Sequence, residues 1–183
     1  MQSKCTVEER SERMMKAKGP SLPEDQWPPM RKAKAANKTA WTYFAALIKI
    51  LYRKLGERET CKFLEELMTE NARKYFLPGL EAFGIEGRDP YSIASYFKLT
   101  TGEIIGYDVE LEKVSSKEVI YRLNPPCIWF PDLDIPPSFC RALGAFEREA
   151  MRLVNPSIKV TMPRIMTEGH PCCELIFKEE VDN

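Results

Sequence analysis

The chain has 183 residues, 44% of them apolar, enough for one domain with its own core and no need of disulfides or a structural metal. Its 27 basic and 27 acidic residues cancel, so no general field draws it to nucleic acid or to an anionic membrane. No apolar run approaches the roughly 20 residues of a membrane-spanning helix, and the start MQSKCTVEER lacks the apolar centre of a signal peptide. The expected setting is therefore cytoplasmic, with the six cysteines as free thiols, metal ligands or core fillers rather than a disulfide framework.

Residues 1–36 read as an arm, charged and punctuated by Gly19-Pro20, Pro23 and Pro28-Pro29, which oppose a continuous helix. Trp27 and Met30 offer anchors for the body or for a second subunit, and Cys5 falls in the same arm. Residues 37–183 read as a single α+β domain. Its first helix shows Trp41, Phe44, Ala45, Ile48, Leu51, Tyr52 and Leu55 at three- and four-residue steps, with Gly56 placed to end it. A second helix carries Cys61, Leu64, Met68, Ala72 and Tyr75 on one stripe, and Pro78-Gly79 is expected to stop it. Acidic residues Glu59, Glu65, Glu66 and Glu70 argue against a DNA-reading helix-turn-helix and for a helical hairpin packed on a sheet.

After the loop from Gly84 to Pro90 the period changes to two. Segments 92–99, 103–114 and 118–123 are separated by Thr100-Thr101-Gly102 and Ser115-Ser116-Lys117, spacing that predicts an antiparallel meander. Asn124-Pro125-Pro126 closes it, and Cys127 follows. A third helix is expected from about Asp134, as cap, through Phe139, Leu143, Phe146, Ala150 and Leu153 to Asn155-Pro156. A final hairpin then pairs 158–166 with 172–178, with Cys173, Leu175 and Phe177 facing the core. The predicted architecture is an N-terminal helical hairpin and a third helix on an antiparallel sheet of about five strands.

Chemistry concentrates in the last third of the chain. Cys127 leaves the meander, Cys140 opens a helix with Glu147 two turns on, and Cys173 begins the last strand, so one end of the sheet is where they converge. Three roles stand open for these thiols. Cys127, Cys140 and Cys173 would hold zinc with His170 or Glu147 as fourth ligand, although their spacing matches no paired zinc-finger pattern. Alternatively Cys140, its pKa lowered by a helix N-terminus, is a nucleophile with His170 as base or acid. The third role is the plainest: small hydrophobic side chains filling the core, with His170 a solvated turn residue and Glu147 one half of a surface pair with Arg148 or Arg152.

From Asp89 onward the order of landmarks, Cys127, Cys140, Asn155-Pro156 and Gly169-His170-Pro171-Cys172-Cys173-Glu174-Leu175, resembles L-2-amino-thiazoline-4-carboxylate hydrolase-like proteins. More distantly it is similar to small-molecule-binding domains related to bacteriochlorophyll 4-vinyl reductase. Two departures stand out: Cys127-Ile128 where that family usually reads Cys-Pro, and Gly169-His170 where it reads Gly-Asp. The resemblance implies helices on one face of an antiparallel sheet, and either hydrolytic opening of a small heterocycle or recognition of a small organic ligand. The catalytic candidates are Cys140, Cys173, His170 and Glu147, and Tyr107, Tyr121 and Trp129 are candidate walls of a substrate pocket. A ligand-binding sensor, an accessory subunit of a larger enzyme, and a homo-oligomer are the other expectations.

Overall fold

The computed structural model describes residues 25, 28–127 and 129–180, so Cys5 and Trp27 lie outside the described residues. The chain divides into two units, Met1–Ala33 and Lys34–Asn183, and the second carries the fold.

The helical run Pro29–Ala82 is broken at Gly56, whose φ of 78° is disfavoured for any residue with a side chain, into α1 (29–55) and α2 (57–82). Helix thus extends upstream of Asn37, where the apolar periodicity begins. Helix α2 buries Leu64, Ala72, Phe76 and Leu80, whereas Tyr75, expected on the inner stripe, is exposed. It also runs through Pro78 to Ala82. A proline one turn from the end removes a single donor, and burial of Leu80 holds the turn in place.

The segment 92–99, expected as a strand, is helical: α3 spans Pro90–Phe97. Asp89 caps it, its Oδ1 accepting from the Tyr91 and Ser92 amides at 3.0 and 3.2 Å while the Ser92 hydroxyl donates to Oδ2, and Pro90 sits in the first turn. Its buried residues Ile93, Ala94, Tyr96 and Phe97 follow helical steps. A π-helical turn over Lys98–Ile104 continues it, using residues read as a hairpin loop and the start of a strand.

Strands β1 (Val109–Ser115), β2 (Glu118–Leu123), β3 (Ile158–Arg164) and β4 (Cys173–Glu179) form one antiparallel sheet in the order β1-β2-β4-β3. The sheet therefore has four strands, and the α+β class holds. Tyr121 lies opposite Leu175 and Leu123 opposite Cys173. Val119, Tyr121, Leu175 and Phe177 point to the helices and are buried, as the alternation predicted. On the other face Arg122 donates to Glu174 at 2.7 Å and pairs with Glu112, so the buried Glu174 carboxylate is met by charge.

The expected third helix is two: α4 (Pro137–Leu143) and α5 (Ala145–Val154), joined at Gly144. A Cβ on Gly144 would fall 2.6 Å from the Met162 sulfur of β3, so a side chain there would require the Met162 side chain to move. Asp134 does not cap α4; its carboxylate pairs with Lys49 of α1 at 2.8 Å. Helix α5 is tied to α2 through Glu149, which accepts from Arg73 and Arg152 at 2.7 Å each. These hydrogen bonds, that of Arg152 foremost, hold the Glu149 carboxyl down at about 2. Its stabilising contribution is present above its ordinary value near 4.5 and fades as pH falls toward 2.

Helices and sheet meet at Phe97. Its ring lies 5.9 Å from Phe76 of α2, 5.8 Å from Tyr121 of β2, 6.1 Å from Phe146 of α5 and 5.7 Å from Phe177 of β4. Replacing Phe97 with Ala is expected to lower stability by about 3–5 kcal/mol, measured by urea unfolding, with loss of cooperativity at the helix-to-sheet contact. A change below about 1 kcal/mol would show that these rings are not the core's common support.

Candidate functional site

Between the helices and one end of the sheet lies a cavity of about 250 Å³. The lining is drawn from most of the elements: Trp41 of α1, Met68 of α2, Tyr96 and Phe97 of α3, Thr100 and Thr101 of the π turn, Leu123 of β2, Met162 of β3 and Leu175 of β4. The β2–α4 connection adds Cys127, Trp129 and Phe130, and the α4–α5 pair adds Cys140, Leu143, Gly144, Phe146 and Glu147. The walls are overwhelmingly apolar.

All three thiols singled out above line this one cavity. Cys173 rather than Cys172 does so, because Cys173 shares the inward face of β4 with Leu175 and Phe177. Each sulfur accepts one hydrogen bond from the protein: Cys127 from the Phe130 amide at 3.4 Å, Cys173 from the Met166 amide at 3.3 Å, and Cys140 from the Thr167 hydroxyl at 3.4 Å. Among the described residues no group of three His, Cys, Asp or Glu side chains is placed to hold a metal ion, while Cys127, Cys140 and Cys173, the expected zinc set, share the cavity wall.

The expected activation of Cys140 is also reversed. Helix α4 has only seven residues, and Cys140 is the fourth of them, beyond the first amides where a helix terminus favours a thiolate. Burial pushes its pKa up instead, against a lowering by the Thr167 hydroxyl. Burial likewise raises Cys173 to about 11, opposed by the Met166 amide and reinforced by the neighbouring thiols Cys140 and Cys127. Near neutral pH these two side chains are protonated.

Glu147 stands on the cavity wall. Burial raises its carboxyl from the ordinary 4.5 to about 7, its own amide and the Arg148 charge acting in the opposite direction. Its expected surface pairing with Arg148 or Arg152 is not made: Arg152 serves Glu149, and Arg148 donates to the Arg141 carbonyl. His170 is exposed, in the turn after Gly169, and does not line the cavity. Of the expected pocket walls, Tyr107 and Trp129 are present, their rings 5.7 Å apart. Tyr121 lies behind the wall, fully buried, with the Thr101 hydroxyl as partner; burial raises its pKa. The Trp129 indole nitrogen is buried without a partner among the described residues.

Several wall residues were not singled out as site residues from sequence. Trp41 belonged to a helical apolar stripe, Thr100 and Thr101 looked like a hairpin turn, and Met68 and Met162 carried no signal beyond apolar spacing. Only Trp41, a large aromatic near the ragged start of a stripe, could have been suspected.

No family profile matches the chain, and no curated protein does. Among solved structures it is similar to a trafficking protein particle complex subunit 3 from Naegleria fowleri, covalently bound to palmitic acid. The TM-score is 0.62 at 11% identity, covering 81% of this chain and 97% of the other, and the likeness is one of fold. No helix among the described residues is long and apolar enough to cross a membrane.

Because the folded chain retains the Glu147 proton up to about pH 7 while an unfolded chain releases it near 4.5, stability on this group's account is intact below 4.5 and declines as pH rises to 7. Glu147→Gln is expected to flatten that decline and to raise stability at pH 8 by roughly 2 kcal/mol, read from urea unfolding across pH 5 to 8. Parallel curves for the two proteins would mean that Glu147 is solvated as an ordinary carboxylate.

Proposed function

We propose that the protein is a non-enzymatic, apolar-ligand-binding domain that works as an accessory subunit or sensor in the cytoplasm, with an elongated, acyl-like chain seated in the cavity. The observation that carries this reading is the cavity wall itself: about 250 Å³ of space lined by aromatic, aliphatic and sulfur-bearing side chains, with its Cys140 and Cys173 thiols held protonated by burial. Such a space favours transfer of apolar surface from water and supplies little that would activate a nucleophile. The palmitic acid attached to the structural neighbour supports the choice of an elongated chain.

Titration with dodecanol, followed through the fluorescence of Trp41 and Trp129 on the wall, is expected to saturate at one molecule per chain. Leu143→Trp, which fills the cavity, is expected to weaken binding by at least about tenfold. Absence of saturable binding to the native chain would remove the proposal. Intact-mass measurement before and after neutral hydroxylamine tells a thioester-linked chain from one held without a bond.

A second reading has its own support. Cys140, Cys173 and Glu147 share one wall, and a carboxyl titrating at about 7 has the acidity suited to a general base for a protonated thiol. On that reading the chain is a hydrolase that opens the C–N bond of a small heterocycle. Cys140→Ala and Cys173→Ala are each expected to abolish ring opening of a 2-aminothiazoline carboxylate in an otherwise folded protein. Full turnover in both variants excludes thiol catalysis, and metal analysis of the same preparations tests zinc.

A further inference from the structure

The cavity wall bears one formally charged type of group, and it is an acid. Glu147 reaches the cavity from α5, and no Lys, Arg or His is among the described residues lining it. Apart from its own amide, the Glu147 carboxyl has no hydrogen-bond or ion-pair partner among the described residues. Of the other polar groups on the wall, the Thr100 hydroxyl donates to the Tyr96 carbonyl at 2.9 Å and the Thr101 hydroxyl serves Tyr121, while the Trp129 indole N–H has no partner among the described residues. The nearest cation, Arg148, is committed to the Arg141 carbonyl at 3.1 Å. Above about pH 7, where Glu147 is ionised, its carboxylate accepts hydrogen bonds and has none to give, so the missing partner there is a donor. An incoming carboxylate would instead set two like charges close together against a mainly apolar wall.

We propose that the cavity selects uncharged long-chain molecules with a hydrogen-bond donor at the polar end, a primary alcohol or primary amide seated on Glu147, and rejects ionised fatty acids. This rests on the apolar-ligand reading and adds the chemistry of the head group. The charge on the wall chooses the head, whereas the apolarity of the space chooses the tail.

The test uses the full chain at pH 8 with four twelve-carbon probes: dodecanol, methyl dodecanoate, dodecanoate and dodecylamine, followed by tryptophan fluorescence and calorimetry. Dodecanol is expected to bind at least about tenfold more tightly than dodecanoate, with the ester, which lacks a donor, in between. In Glu147→Gln the difference is expected to shrink to about threefold or less, mainly through a gain in dodecanoate affinity. Dodecanoate binding as tightly as dodecanol to the native chain overturns the proposal, as does a difference unchanged in Glu147→Gln. Tightest binding by dodecylamine also overturns it, since the head would then be a cation. In these cases the apolar-ligand reading survives. If none of the four probes binds saturably, that reading fails and the proposal falls with it.

Discussion

Phe97 is the constraint on which the rest of the structure depends. One ring at the end of a short helix touches rings from α2, α5, β2 and β4, so the helices cannot shift against the sheet without breaking its contacts. The cap at Asp89 sets the direction of α3 and so delivers Phe97 to that point. Local backbone chemistry and long-range packing thus agree at a single residue. The same ring forms part of the cavity wall, which makes the shape of the candidate site a direct product of the core.

The cavity's chemistry follows from burial. Burial disfavours charge, so it raises the Cys140 and Cys173 thiols and the Glu147 carboxyl together, although each belongs to a different element. A thiol that stays protonated is a small polarisable wall group, well suited to contact with an apolar chain. Glu149, two residues from Glu147, shows the opposite outcome: it faces Arg73 and Arg152 and is held at about 2. Two carboxyls on one helix therefore differ by what lies opposite them, not by their neighbours in the chain.

Much of this was legible in the order of residues, and the misses have physical causes. The alternation through Val119, Tyr121 and Leu123 and through Cys173, Leu175 and Phe177 placed those side chains correctly, because a strand exposes its faces every second residue. Segment 92–99 was misread because a short apolar stretch fits either period, and the Asp89-Pro90 start signal is the stronger evidence. The inward path of Cys127, Cys140 and Cys173 was foreseen from their positions at joints. Whether they hold a metal was left open by their spacing, since ligand geometry depends on a few ångströms of packing that spacing does not encode.

The chain's local patterns were sufficient for its class, the separation of α1 from α2 at Gly56, most inward-facing positions and the gathering of sulfur at one end of the sheet. These depend on periodicity and backbone freedom, which are properties of neighbouring residues. Tertiary packing alone decided that His170 stays outside, that Glu147 stands without an ion pair and that Cys140 and Cys173 remain protonated. Solvation and charge at a site are set by groups distant in the chain, and only the folded arrangement brings those groups, or their absence, to the same place.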